Sequence, residues 1–303
     1  MGARLEWCVQ VHVVDGTFEL FRCFYGAPPR QRADGLEIGA SRALLGTLLS
    51  LLKEPSVTHV GVAFDTVIES FRNDLFAGYK TGAGIDVNLQ QQFALAEQVT
   101  RALGLVTWSM IDHECDDALS TMATRAAADP RVTRVNICSP DKDLAQCVQG
   151  ERVVLVDRLR KTTLDEAGVA LKFGVQPACI PDLLALIGDA ADGVPGLRGF
   201  GAKSAAALLR RYGSLEAIPD APWPKDVGVR GADKLAATLS TCRAEAALYK
   251  RLTTLVLDVP LTECVDDLCW RGPDVSRLAQ LAHDLNDDSI GARVDKVWSA
   301  RRP

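Results

Sequence analysis

No uninterrupted apolar run in the 303 residues approaches the roughly 20 that a membrane-spanning helix needs, so the chain reads as a non-membrane protein. Its opening residues, Met1-Gly2-Ala3-Arg4-Leu5-Glu6, contain no long apolar stretch leading to a small-residue cleavage site, which points away from secretion. There is no Cys-x-x-Cys pair. The nine cysteines are scattered at 8, 23, 115, 138, 147, 179, 242, 264 and 269, a spacing that offers zinc little. An odd number in a chain able to form its own core reads as reduced thiols in a cytoplasm, most of them acting as small apolar residues. Positive charge is not in excess either: 34 Lys and Arg against 39 Asp and Glu leave a net charge of −5, which alone speaks against a nucleic-acid partner. Internal repeats and low-complexity tracts are absent.

What is present is a globular balance, 48% hydrophobic and 24% charged, sufficient for one large or two modest domains. The acids are skewed, with 27 Asp to 12 Glu. A short, stiff carboxylate suits a metal held at fixed distance, although Asp also populates turns and caps.

Val9 to Val14 is a β-branched run that stops at Asp15-Gly16, as a buried parallel strand would. The same grammar recurs at Thr58 to Phe64 before Asp65, and at Val132 to Cys138 before Ser139-Pro140-Asp141-Lys142-Asp143. Helical-period segments, Ile38 to Lys53 and Leu89 to Leu103, separate the strands. In an open parallel sheet the ligand crevice lies beyond the carboxyl ends of the strands, so three strand ends deliver acids to one edge. Glu114-Cys115-Asp116-Asp117 opens a further helix, and at about 100° per residue its three acids cannot all face one ion. His113 and Cys115 read as neighbours of this turn, with Cys115 packing. From about residue 176 short helices take over: Ile180 to Ile187, Ala202 to Tyr212, Lys234 to Leu239 and Arg243 to Leu252. Gly193 to Leu255 holds ten Lys and Arg against five acids, so basic charge concentrates in the helical part.

Nine acids stand out: Asp15, Asp65, Glu114, Asp116, Asp117, Asp141, Asp143, Asp189 and Asp192. Carboxylates converging without cations repel one another, and an oxygen-ligated divalent ion, magnesium or manganese, is the natural counter-charge. Separately, closely spaced glycines at 193, 196, 199 and 201 let backbone N–H groups approach a phosphate, with the helix opening near Ala202 offering its positive end. Lys203, Arg210 and Arg211 add charge, and such contacts are blind to base sequence. Tyr25, with Phe24 and Phe21, is a candidate to stack on an unpaired base or to pack in the core.

These residues carry a resemblance to the 5′ nuclease, or flap endonuclease, family, which includes the N-terminal nuclease domain of bacterial DNA polymerase I. Val13-Val14-Asp15-Gly16 resembles its first motif, and Ala63-Phe64-Asp65 with Phe71-Arg72 and Gly78-Tyr79-Lys80 its second. Glu114-Cys115-Asp116-Asp117 is similar to its acidic helix start and Pro140-Asp141-Lys142-Asp143 to its Asp-Lys-Asp turn. Gly188 to Gly196, followed by Gly199-Phe200-Gly201-Ala202-Lys203-Ser204, is similar to its last acid pair running into a helix-three-turn-helix DNA clamp.

The resemblance implies an α/β fold: a PIN-like, mostly parallel sheet flanked by helices in residues 1–175, with an arch at about 66–99. It places the duplex-binding helical region at 176–255 and a segment packing back on the catalytic part at 256–303. It implies two or three magnesium or manganese ions. Asp15, Asp65, Glu114, Asp116 and Asp141 would serve the first, with Asp143, Asp189, Asp192 and Asp117 on the second. Lys80 and Arg72 would stabilise developing charge. Gly196, Gly199, Gly201, Lys203, Ser204, Arg210 and Arg211, with Tyr25, would touch DNA, a potassium ion assisting at the glycine turn. The implied activity is 5′-3′ exonuclease or flap endonuclease cleavage in DNA replication and repair. The substrate would be duplex DNA with a 5′ flap, nick or overhang, or an RNA primer strand, and the enzyme a cytoplasmic, nucleoid-associated monomer beside a separate polymerase.

The chain departs from the family pattern in places. Thr81-Gly82-Ala83-Gly84 brings no Arg after Lys80, Gly193 replaces a common Asn, and 66–99 holds only Arg72 and Lys80 as cations against four acids. The weakly basic arch suggests a feebly cutting junction-binding protein as an alternative, and a PIN-type ribonuclease, which shares the sheet with fewer acids but has no use for the duplex clamp, is another. A haloacid-dehalogenase-like phosphatase would need a second Asp where Thr17 stands.

Overall fold

The computed structural model describes residues 9–220 and 222–301. The strands are β1 (Val9–Asp15), β2 (His59–Asp65), β3 (Val106–Met110), β4 (Val132–Cys138), β5 (Val153–Asp157) and β6 (Thr162–Leu164). The helices of the first half are α1 (Gly16–Gly26), α2 (Gly39–Leu52), α3 (Phe71–Leu75), α4 (Val87–Gln90), α5 (Phe93–Ala102) and α6 (Cys115–Ala128). Those of the second are α7 (Glu166–Phe173), α8 (Ile180–Ile187), α9 (Ala202–Tyr212), α10 (Ala232–Thr241), α11 (Arg243–Thr253), α12 (Val275–Asp284) and α13 (Ile290–Ser299). Two compact units result. One takes in Met1–Ile68, Gly82–Ser139 and Leu257–Pro303, so far as these are described, and the other Glu69–Thr81 and Pro140–Val256. Residues 66–99 accordingly divide between the units.

The first unit is α/β, as expected. Its strands are parallel in the order β3-β2-β1-β4, with Val13 opposite Gly61 and Ile137, so the carboxyl ends of β1, β2 and β4 share one edge. β1 is fully apolar from Val11 to Val14 apart from His12, and its buried valines sit under α6, which packs across all four strands. The expected helix from Leu89 to Leu103 is broken after Gln90. Gln92 turns inward, fully buried, accepts from the Ser41 N–H (3.0 Å) and Oγ (3.1 Å), and donates to Glu37. Satisfying a buried amide outweighs continuing the helix.

The segment beyond Leu257 is stitched to this sheet. Arg125 donates to the Leu261 and Val259 carbonyls at 2.7 and 2.8 Å, Trp270 Nε1 to the Leu103 carbonyl at 2.7 Å, and Trp108 Nε1 to Glu263 at 2.9 Å. The second unit holds the antiparallel β5–β6 pair and then helices, with α8 packed on α9 and α11. The eight cysteines among the described residues form no disulfide.

Gly61 seats the Trp108 indole, whose ring lies 2.2 Å from where a Cβ would stand. Gly61→Val is therefore expected to destabilise the fold by about 2–3 kcal/mol through overpacking. Adding Trp108→Leu should cost less than the two single changes summed, because it removes the clash. Urea unfolding of the four proteins checks this, and additive losses would contradict it.

Candidate metal centre

Each compact unit gathers one set of ligand atoms. In the first, Asp15 ends β1 and caps α1, its Oδ1 accepting the Phe18 N–H at 2.8 Å and its Oδ2 the Ser139 hydroxyl at 2.8 Å. Asp65 ends β2. Its own N–H donates to Thr17 Oγ1 at 2.7 Å and its Oδ1 accepts the Cys115 N–H at 2.6 Å, which locks the β2 terminus to the start of α6. Asp15, Asp116 and the Cys115 sulfur offer atoms that all lie within 4.8 Å of one another. The thiol donates to Asp15 Oδ1 (3.5 Å) and to the Ala63 carbonyl (3.3 Å). Burial, then Asp15, Asp65 and Asp116, push it well above the usual thiol range, so it stays protonated and serves as a donor.

In the second unit, Asp143, Asp189 and Asp192 bring oxygens within 4.8 Å of one another. Asp189 and Val194 exchange backbone hydrogen bonds of 2.8 Å each, closing the loop that carries Asp192. Asp141 is exposed, and its Oδ1 accepts the Asp143 N–H at 2.9 Å, turning Asp143 inward. Asp143 Oδ1 is buried without a hydrogen-bond partner. Burial, then Asp141, Asp192 and Asp189, push its carboxyl well above the ordinary range, against the pull of Lys142. The Lys142 ammonium bonds Asp189 and lies 3.9 Å from Asp143 Oδ1. Burial lowers its pKa, but the Asp189 hydrogen bond and the surrounding carboxylates win and leave it raised. Crowded carboxylate oxygens, one buried and unbonded, fit a hard oxygen-ligated cation.

The nine expected acids thus do not all offer atoms to these sets. Asp117 is fully buried and its Oδ2 accepts the Glu114 N–H at 3.0 Å, closing the first turn of α6. Asp65, Glu114, Asp117 and Asp141 lie outside both sets among the described residues. Three of them have a backbone-holding role in which one carboxylate oxygen takes an N–H.

Lys80 is placed beside the second set: its Nζ is 3.1 Å from Asp192 Oδ1 and its N–H donates to the Asp192 carbonyl at 3.0 Å. Gly193 permits this approach, since a Cβ there would stand 2.2 Å from the Gly78 carbonyl. Arg72 departs from the expected phosphate contact. It is 1% exposed, its guanidinium donating to the Leu252 carbonyl at 2.8 Å in the last turn of α11 and to the Thr254 carbonyl at 3.1 Å at its C-cap. A cation spent on buried carbonyls anchors backbone. Its neighbour Asn73 bonds the Lys80 carbonyl at 3.0 Å.

Of the expected DNA contacts, Lys203 and Arg211 are exposed on α9, roughly 12 Å apart along its axis. Arg210 is exposed too, yet donates to the Gly174 carbonyl at 3.0 Å, the C-cap of α7. The Ser204 hydroxyl accepts the Gly201 N–H at 3.1 Å. Gly196 and Gly199 have φ of +67° and +90°. At Gly196 a Cβ would meet the Ile187–Gly188 backbone at 2.3–2.4 Å, so this glycine is needed to fold the loop as well as to leave it bare. Tyr25 is 73% exposed at the end of α1, edge-on to Phe24, while Phe21 packs against Phe93.

Cys115 is buried, as its packing reading expected, but the hydrogen-bonding roles of four residues at the sets escaped the reading of the sequence. Thr17 and Ser139 each stand within two residues of a strand end, where a hydroxyl can tie neighbouring termini. Cys115 and Lys142 sit inside quoted motifs, and only burial among acids gives them roles.

The model of the 5′-3′ exonuclease N-terminal, resolvase-like domain matches residues 10–174, and that of the 5′-3′ exonuclease C-terminal SAM fold matches 175–276. DNA polymerase I of Pseudomonas aeruginosa is 36% identical over 90% of the chain, which spans 30% of that protein. The chain therefore covers about a third of the length of its polymerase relatives. A 5′-3′ exonuclease of Aquifex aeolicus is 29% identical over 95% of the chain and 96% of its own length. The fold is shared with a bacteriophage T5 flap endonuclease solved with DNA and metal ions, at a TM-score of 0.64 and 19% identity, covering 96% of this chain and 98% of that one. With both domain models matched in order along its length, the chain belongs to the 5′-3′ exonuclease family.

Proposed function

We propose that the chain is a divalent-metal-dependent 5′ nuclease that hydrolyses phosphodiesters at single-strand/duplex junctions, acting on 5′ flaps, nicks or overhangs. One observation carries the reading: in a member of the 5′-3′ exonuclease family, Asp143, Asp189 and Asp192 crowd their oxygens with Asp143 Oδ1 buried and without a hydrogen bond, and Asp15 and Asp116 converge beside the Cys115 thiol.

Asp15 and Asp116 would hold one ion and Asp143, Asp189 and Asp192 a second, with Asp65, Asp117 and Asp141 fixing the backbone around them. All-oxygen donors favour magnesium or manganese over softer ions. Bound ions supply Lewis-acid activation and charge neutralisation. Lys80 adds a positive charge whose backbone is pinned to Asp192, so little ordering remains to be done when a phosphate arrives. Arg72 acts through Lys80 as a positioning residue, tying α3 to the end of α11 while Asn73 holds the Lys80 carbonyl.

Duplex binding is assigned to the glycine turn and the amino end of α9. Gly199 leaves the turn bare, the helix end is electropositive, and Lys203 lies on its first turn. Arg211 extends this face, while Arg210 divides its charge with the Gly174 carbonyl. A potassium ion held at the glycine turn would add positive charge for the same phosphate. Exposed Tyr25 offers a ring for an unpaired base. The enzyme is proposed to act as a monomer on DNA, with primer RNA as a further 5′ strand and a polymerase as partner.

Two measurements test this. With a 5′-labelled flap duplex and Mn2+ or Mg2+, Asp15→Asn and Asp143→Asn should each lower the single-turnover cleavage rate by about 100-fold or more while duplex binding persists. Cleavage by both variants at the wild-type rate would remove the acid sets from the chemistry. Lys203→Glu should weaken duplex binding evenly across sequences and reduce the slope of log K against log salt by about 1. An unchanged slope would take α9 out of the interface.

A further inference from the structure

The three carboxylates of the second set meet two ammonium groups from their own unit. Lys80 faces Asp192, and Lys142 bonds Asp189 beside the unbonded Asp143 Oδ1. Lys142 is not an ornament of the surface: its partners Asp189 and Asp143 are 4% and 5% exposed, so the pair lies where solvent screens little. Its backbone opens the 3-10 turn Asp143–Cys147, which fixes the root of the side chain next to the set. The Lys142 side chain itself is 36% exposed, so water lies beside it to receive the ammonium if an ion takes its place.

We propose that Lys142 is a resident counter-cation of the second acid set that a divalent ion displaces, so that this lysine sets how tightly the second ion binds. This rests on the reading of Asp143, Asp189 and Asp192 as an ion site. The argument is one of charge. With all three acids ionised, as ligands to a dication would be, the set carries a formal charge of about −1 with both ammonium groups in place and about −2 without Lys142, so an incoming dication finds less attraction while the lysine stays. The same pair holds the carboxylates together before an ion arrives, since removing one partner of a buried ion pair leaves the others uncompensated. Lys142 therefore trades ion affinity for an ion-independent fold of the loops at 141–143 and 189–192. Ligation remains with the aspartates.

The test is a titration with Mn2+, free ion being followed by its magnetic resonance signal, on wild type, Lys142→Met and Lys142→Arg, without DNA. Methionine keeps the length and loses the charge, and arginine keeps the charge. The expected result is a second-ion dissociation constant lowered by about tenfold or more in Lys142→Met and near wild type in Lys142→Arg. Without ions, Lys142→Met should melt lower than wild type, and Mn2+ should raise its melting temperature by more. Should that variant be unfolded without ions, its refolding midpoint in Mn2+ reads the same affinity. A second ion bound equally or more weakly by Lys142→Met overturns the displacement. Wild type and both variants failing to bind any second ion would overturn it too, together with the ion-site reading on which it stands.

Discussion

Everything in this molecule's chemistry depends on holding like charges close together. A buried carboxylate beside other carboxylates costs free energy unless each finds a donor or a cation, and each unit supplies its own. Backbone N–H groups of Phe18, Cys115, Glu114 and Asp143 each take an oxygen of Asp15, Asp65, Asp117 or Asp141. Ser139 adds a hydroxyl, and Lys142 and Lys80 supply positive charge. Among the described residues, Asp143 Oδ1 is the buried carboxylate oxygen without a hydrogen bond.

That constraint explains the division of labour among the acids. Asp65, Asp117 and Asp141 each hold the start of a helix or turn in place, so the oxygens of their neighbours converge. Asp15 does both, capping α1 and joining the first set. Fixing such donors before any ligand arrives is what makes an electrostatic site effective, because no reorganisation is then required at the moment of reaction. The buried Arg72 serves the same end at one remove. Its guanidinium bonds stiffen the short α3, and α3 carries Asn73, which holds Lys80.

Much of the fold was legible in the chain because burial writes a simple pattern. β-branched runs ending in Asp mark β1 and β2, and the 3.6-residue period with flanking Gly and Pro gives α8 and α9 at the bounds observed. β3 escaped, since Thr107-Trp108-Ser109 alternates polar and apolar residues in a short stretch without a turn signal. The break at Gln92 escaped as well, because it depends on Ser41 and Glu37, some fifty positions away in sequence. Site residues were legible as types and less so as roles. An acid at a strand end announces itself, but whether it ligates or caps is decided by which N–H its oxygen meets. Arg72 reads as a phosphate contact until the carbonyls of Leu252 and Thr254, 180 and 182 residues distant, are seen to claim it.

The central claim is that the chain carries two ion sets built on different acids, and counting ions tests it most directly. Mn2+ stoichiometry should be two for wild type and one for each of Asp15→Asn and Asp143→Asn, with the double variant binding none. Two ions in every protein, or one in wild type that only Asp15→Asn removes, would contradict the account.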